Sequence, residues 1–410
     1  MRFRRAAATS LTEGCALQVL WDPAFDRYEF GPGHPFTEKS RRSAVRLLEE
    51  SRFFDREGPD APTRITSVVA ASRDDLLRFH REDYLALVER ASQSRNGVPL
   101  DAGDTPSFPG CYGASSSIVG GTLSGTRLVE EHPLTHVFNP AGGLHHAHPG
   151  RASGFCIFND LAVGICSFQA GAAGRRVAYV DIDVHHGDGV MYGFYQDGKV
   201  LDIDFHQDGR TIFPGTGFPS ETGHGDGAGL KVNVPLPPEV GDEAFVPLFE
   251  QIVPTMVRSF RPELIVMQCG FDAHVGDLLG NLQYTPVAYE RAVGLVHSLA
   301  HEVCNGRLVV TGGGGYTPEN VSRGLARVAG CLAAQPRETT GDRPLPAIWR
   351  DEFEQVFHRP APRSWDEGLA TEASTWTPDR GEKLLETLAG RLGVRWDRSE
   401  LTGPRPAAPG

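Results

Sequence analysis

The stretch RVAYVDIDVHHGDG, residues 176–189, runs from an apolar segment directly into three aspartates and two adjacent histidines. Its apolar half shows no alternation, so both faces are predicted to be buried, as in a parallel sheet covered by helices. Asp181, Asp183 and His185 are spaced two apart, which puts their side chains on one face of an extended strand end. Carboxylates gathered at the end of a buried strand repel one another unless a cation sits among them.

Seven more runs of this kind lie along the chain, at 16–21, 65–70, 135–139, 199–205, 230–236, 263–268 and 307–315. Between them fall helical patterns, among them 40–54, 81–91, 242–260 and 287–303, and there is no internal repeat. The alternation predicts a single α/β domain: a mostly parallel, roughly eight-stranded sheet covered by helices on both faces. The domain is expected over 15–395, after a loose lead-in at 1–14. Its composition shifts to Pro, Arg, Glu and Trp from about 336, a last amphipathic helix is expected at 379–392, and 396–410 reads as a disordered tail.

In open α/β sheets ligands bind beyond the carboxyl ends of the strands. Five such ends carry polar clusters: 139–150, 183–189, 204–217, 269–274 and 312–316. They are expected to converge on one rim.

Of the 410 residues 40% are hydrophobic and 22% charged, with a net charge of −12. That balance argues against nonspecific nucleic-acid binding and suits cationic substrates. No apolar run reaches the ~18 residues of a membrane span, and the basic start lacks the apolar centre of a secretory signal. The seven cysteines, at 15, 111, 156, 166, 269, 304 and 331, never fall in CxxC spacing. A reducing, cytoplasmic setting is expected, without a disulfide framework or a cysteine-held metal.

Carboxylate oxygen and imidazole nitrogen are both zinc ligands, and catalytic zinc sites use about three protein ligands while leaving a position for water. Asp183 and His185 supply two; Asp272, at another strand end in CGFDAH, is the best third. Such a set also suits Fe²⁺, Co²⁺ or Mn²⁺. His145 and His146, in GGLHHAHPG, can both reach one water for proton transfer, with Asp181 and Asp188 available to orient their far nitrogens. His148 reads as a rim residue. TGGGGY at 311–316 has neither phosphate-loop spacing; its glycines allow close backbone approach, and Tyr316 can donate to a developing oxyanion.

Together GGLHHAHPGRASGFCIFND (142–160), DIDVHHGDGV (181–190), IFPGTG (212–217), CGFDAH (269–274) and GGGGY (312–316) resemble the zinc-dependent histone deacetylase superfamily, with its arginase-type α/β fold. FGPGHPFTEKSRR and FHREDYLALV are similar to the family's amino-terminal segments, and the likeness is greatest to the bacterial acetoin-utilisation branch. The resemblance implies that Asp183, His185 and Asp272 hold zinc, or Fe²⁺ in its place. It also implies that His145 and His146 flank the reacting water with Asp181 and Asp188 behind them, and that Tyr316 donates to the scissile carbonyl. Phe155 and Phe213 would wall a narrow acyl-lysine tunnel, with Gly154 and Gly314 at its side, Leu144 at its floor and Asp104 at its rim.

A monovalent cation, usually potassium, is implied near Asp181, Asp204, Phe205, Phe194, Asp197 and Val200. Two departures stand out: Asp204 replaces a hydroxyl residue, and Asp277-Leu278 replaces the family's Asp-Pro. The carboxylate at 204 would either strengthen cation binding or replace the cation by another hydrogen-bond arrangement. The implied activity is removal of acetyl groups from lysines of proteins, with acetylpolyamines or other small N-acetyl amides as the alternative substrates. A module that merely binds acyl ligands is a further reading. An arginase-like ureohydrolase would need more carboxylates, and Phe271 stands where one is required. The oligomeric state is left open.

Overall fold

In the computed structural model, residues 16–58, 61–94, 98–101, 103–334, 341–366 and 376–396 are described. Among these residues eight strands form one sheet: β1 (Ala16–Leu20), β2 (Thr63–Ile65), β3 (Thr135–Asn139), β4 (Val177–Asp181), β5 (Val200–Gln207), β6 (Lys231–Leu236), β7 (Leu264–Gln268) and β8 (Leu308–Thr311). Their order is β2-β1-β3-β8-β7-β4-β5-β6, and every neighbouring pair is parallel.

Among the described residues eleven helices accompany them. They are α1 (Lys39–Glu50), α2 (Arg73–Leu76), α3 (Glu82–Ser92), α4 (Cys111–Glu131), α5 (Asp160–Gly171), α6 (Asp188–Gly193), α7 (Asp242–Phe260), α8 (Pro286–Cys304), α9 (Pro318–Leu332), α10 (Ala347–Phe357) and α11 (Pro378–Leu392).

Strand alternation sorts the apolar side chains into two layers. Ala178, Val180, Leu201, Ile203, Ile265 and Met267 face the helices α1 and α7–α9. Val177, Tyr179, Val200, Leu264 and Val266 face α5 and α6. Every residue of β4, β5, β7 and β8 is buried, which is why β4, β7 and β8 read as nearly unbroken apolar runs, while β5 alternates apolar residues with the buried Asp202, Asp204 and His206. Trp349 and Phe353 of α10 and Leu385 and Leu388 of α11 join the first layer, so the composition shift near 336 does not end the core. The lead-in expected at 1–14 and positions 397–410 of the expected tail lie outside the described residues.

The sequence expectation fails at the second strand, which runs over 63–65 rather than 65–70. Past Ile65 the backbone leaves the sheet: Val68 N–H donates to the Asp22 carboxylate and Ala71 N–H to the Ser116 carbonyl. This segment crosses α4 at Gly120, where a Cβ would collide with the Val69 carbonyl. The expected strand over 176–183 also stops early, at Asp181, and β8 ends before the glycines.

The strand order places the cleft. β4 and β7 are neighbours, yet the chain leaves β4 toward β5 and leaves β7 toward β8, in opposite directions along the sheet. A crevice opens at such a reversal, beyond the carboxyl ends of the two strands.

Candidate active site

After Asp181 the chain turns rather than extends. Asp183 N–H donates to Asp181 Oδ1 and His185 N–H to Asp183 Oδ1, both at 3.0 Å. Each carboxylate thus fixes the backbone two residues on, and the turn presents the carboxylates and the imidazole to the crevice. From β7, Asp272 arrives with Oδ1 accepting Val184 N–H at 2.9 Å. His185 Nδ1 lies 3.2 Å from Asp183 Oδ1 and 3.1 Å from Asp272 Oδ2. All three side chains are buried.

Both spacings come close to the edge of a tetrahedron with metal–ligand bonds of about 2.0–2.2 Å. Burial, then the neighbouring Asp183 charge, pushes Asp272 up to about 7, a repulsion that a divalent ion relieves. The donor set fits the metal the sequence implies.

Further groups fix these carboxylates. Gln268, paired in register with Asp181 and Thr311, donates through Nε2 to Asp183 Oδ2 at 2.7 Å. Gly314 N–H donates to the same oxygen at 2.8 Å. A Cβ on Gly314 would run into Asp272, so backbone can approach here only without a side chain.

The histidine pair arrives from β3 on the loop after Asn139. His145 Nδ1 meets Asp181 Oδ2 at 2.8 Å, and His146 Nδ1 meets Asp188 Oδ1 at 2.7 Å. Tyr179 O–H donates to Asp181 from the same strand face. Burial lowers both imidazoles, but in His145 the charges of Asp181 and Asp183 prevail and hold it at about 10. His146 falls to about 4, through burial and the charge on His145.

Two residues the sequence reading did not single out hold this loop. Asn159 donates to the carbonyls of His145 and Ala147, and Asp160 accepts the N–H groups of Gly143 and Leu144. The signal for them was an Asn helix cap followed by an Asp that is wholly buried. His148, expected at the rim, is partly exposed and takes the second oxygen of Asp188, at 3.0 Å.

Tyr316 N–H donates to Asp277 Oδ2 at 2.8 Å, so the carboxylate of the Asp-Leu departure anchors the tyrosine backbone while Leu278 is exposed. Burial, then Asp272 and Asp183, keeps the Tyr316 phenol protonated and able to donate. Leu144, His145, His146, Gly154, Asp183, His185, Gly314 and Tyr316 line one narrow cavity with Phe36.

Phe155 stands on the Tyr316 side, with ring centroids 6.0 Å apart. Phe213 stands on the other, 5.1 Å from His146 and 6.3 Å from His185. Gly154, at φ +53°, backs onto His146, where a Cβ would collide with the ring. Asp104 sits beside this wall: its Oδ1 accepts the Thr105 hydroxyl, which itself accepts Phe155 N–H. Burial, then the hydrogen bond and charge of Asp101, raises Asp104 to about 6.

The histone deacetylase domain family matches residues 34–332. The chain belongs to the histone deacetylase family. This deacetylase is 34% identical over 356 residues to the acetoin utilization protein AcuC of Bacillus subtilis, covering 85% of this chain and 89% of that one. It is 32% identical over 350 residues to AcuC of Staphylococcus aureus strain MSSA476, covering 84% and 87%. It is also 33% identical over 326 residues to the histone deacetylase clr6 of Schizosaccharomyces pombe, covering 78% and 77%. The chain is a deacetylase hydrolase of a metal-dependent family. Phe271, stacked on Tyr289 at 4.0 Å, is buried away from ligand chemistry, which removes the carboxylate an arginase-like site would need.

The residues expected around a monovalent cation divide into two places. Asp181 and Asp204 are register partners beside Phe205. Asp204 Oδ2 accepts Gly187 N–H, and its Oδ1 faces His206 Nδ1, both at 2.7 Å. Burial lowers His206, but Asp204 outweighs it and raises the imidazole above its usual value. Phe194 and Asp197 lie on the α6–β5 connection and Val200 opens β5, where the Lys231 ammonium donates to the Val200 carbonyl at 2.6 Å. Lys231 was not singled out, because a lysine opening a strand ordinarily reads as a solvated end.

Proposed function

We propose that this deacetylase removes acetyl groups from acetylated lysine side chains of proteins, releasing acetate and the free amine. One observation carries the reading: the His145–His146 pair, Asp183, His185 and Tyr316 line one cavity flanked by Phe155 and Phe213, with Asp272 buried against His185. A slot between aromatic walls suits an unbranched aliphatic stem, and Leu144 at its floor suits a small acyl group.

Asp183, His185 and Asp272 would hold Zn²⁺ or Fe²⁺, which supplies Lewis acidity toward the amide carbonyl and toward water. His146 takes the proton of the attacking water through Nε2 and returns one to the leaving amine. Asp188 fixes the orientation of that ring, and His145 contributes positive charge beside it. Tyr316 donates its phenol O–H to the oxygen that becomes negative in the tetrahedral intermediate.

Potassium, which the resemblance implies near Asp181 and Asp204, would share that place with the Asp204–His206 pair. At the other place the Lys231 ammonium already donates to the Val200 carbonyl, so potassium is proposed at the Asp181–Asp204 place. The domain would span 15–395, supported by the shared core of the sheet, α10 and α11. A cytoplasmic setting is supported by six unpaired cysteines among the described residues. No helix among those residues is long and apolar enough to cross a membrane.

Acetylpolyamines are the second reading, favoured by the Asp101–Asp104 carboxylates beside the tunnel wall. Acetate release from an acetyl-lysine protein, an acetyl-lysine peptide and acetylspermidine separates the two. Turnover of the protein and peptide above acetylspermidine supports the lysine reading; the reverse order overturns it.

A further inference from the structure

His136 lies at the amino-terminal end of β3, paired with Leu17 and Leu308, at the rim of the sheet opposite the catalytic cleft. Its side chain shares a strand face with Phe138 and points toward α8. His297 and His301 of α8 are four residues apart, and so on one helix face. His136 Nε2 lies 3.2 Å from His301 Nε2, and His297 Nε2 lies 3.1 Å from the same atom. The ligand nitrogens of all three lie within 4.8 Å of one another; His136 and His297 are buried and His301 is partly exposed.

Hydrogen bonding within the cluster cannot satisfy this arrangement. One imidazole nitrogen carries either a single N–H or a single lone pair in the ring plane. His301 Nε2 faces two other nitrogens, so one proton must serve two acceptors, or one lone pair two donors. At least one contact is left without a full hydrogen bond, in a place where an unsatisfied polar atom is costly. A cation at the meeting point accepts all three lone pairs. The two short spacings come close to the edge of a tetrahedron with zinc–nitrogen bonds of about 2.0–2.1 Å.

We propose that His136, His297 and His301 form a second divalent transition-metal site, which clips α8 to β3 on the side of the sheet away from the catalytic cleft. The donor set is all imidazole, which selects zinc, copper or nickel over magnesium and calcium. The partly exposed His301 gives the ion its entry, and the fourth position falls to solvent. Such a site binds the folded chain and not the unfolded one, so the ion stabilises by mass action. Nothing in the proposed acetyl-lysine reaction requires it.

The test uses the full chain, stripped with chelator and dialysed against Zn²⁺ alone, beside His301→Ala and His301→Gln. The wild-type protein is expected to retain one more equivalent of zinc than either variant. Zinc should raise the wild-type Tm by a larger increment than that of the variants, while acetate release stays unchanged in all three. Acetate release and circular dichroism report that the variants fold, and the glutamine keeps a polar group at this partly exposed position if alanine does not fold. Equal zinc content in wild type and folded variant overturns the proposal. So does a zinc-induced Tm shift that His301→Gln leaves intact.

Discussion

His145 Nε2 and His146 Nε2 stand 3.0 Å apart, although adjacent side chains on an extended chain point to opposite faces. The loop after β3 turns both rings inward, and Asp181 and Asp188 hold them there through Nδ1. His145 is the ring that holds the charge and His146 the neutral one, so only His146 is able to take a proton. Their roles should therefore separate. His146→Ala is expected to lower kcat by about 10²–10⁴, the range for a lost general base. His145→Ala should cost less. Steady-state kinetics on an acetyl-lysine peptide measures both, and a larger loss at His145 would reverse the assignment.

Tyr316 is placed by its backbone, through Asp277, and its phenol is buried beside the carboxylates of the candidate metal centre. Tyr316→Phe removes only the hydroxyl. Turnover should fall by about 10²–10³, as for other lost oxyanion donors, with metal content unchanged. Near-wild-type turnover would take Tyr316 out of this role.

Glu38 is buried, and among the described residues neither of its oxygens has a hydrogen-bond partner. Burial raises it to about 8 against the opposing charge of Arg41, so the folded protein keeps this carboxyl protonated at neutral pH. The unfolded chain releases the proton near its ordinary value of about 4.3, and thus binds fewer protons than the folded chain up to about pH 8. Stability from this group is present at low pH and is lost as pH rises through that window, by an amount on the order of a few kcal/mol. Glu38→Gln should flatten the slope. Urea unfolding of both proteins at several pH values checks it; parallel slopes would contradict the assignment.

The strands of the sheet centre were legible because burial on both faces writes itself as unbroken apolar runs, and α7 matches its expected 242–260 span. The helix α4 carries no such signal: CYGASSSIVGGTLSGT is poor in helix formers. It forms because its small residues let it lie close to β3, with Gly121 against Asn139 and Gly125 against Val137. The same closeness removed the expected strand at 66–70, which becomes the segment crossing Gly120. At the site, the residues expected to hold metal and move protons do meet. The supports that were missed, Gln268, Asn159, Asp160 and Lys231, come from other strands and helices, and only three-dimensional pairing reveals what they hold.

Metal dependence of acetate release tests the central claim most directly. The protein is stripped with chelator, assayed on an acetyl-lysine peptide, and reassayed after adding back Zn²⁺ or Fe²⁺, beside Asp272→Asn. Acetate should appear one-for-one with free amine, vanish on stripping and return with the ion in the wild type alone. Turnover that survives stripping, or that Asp272→Asn regains in full, would contradict a reaction centred on Asp183, His185 and Asp272.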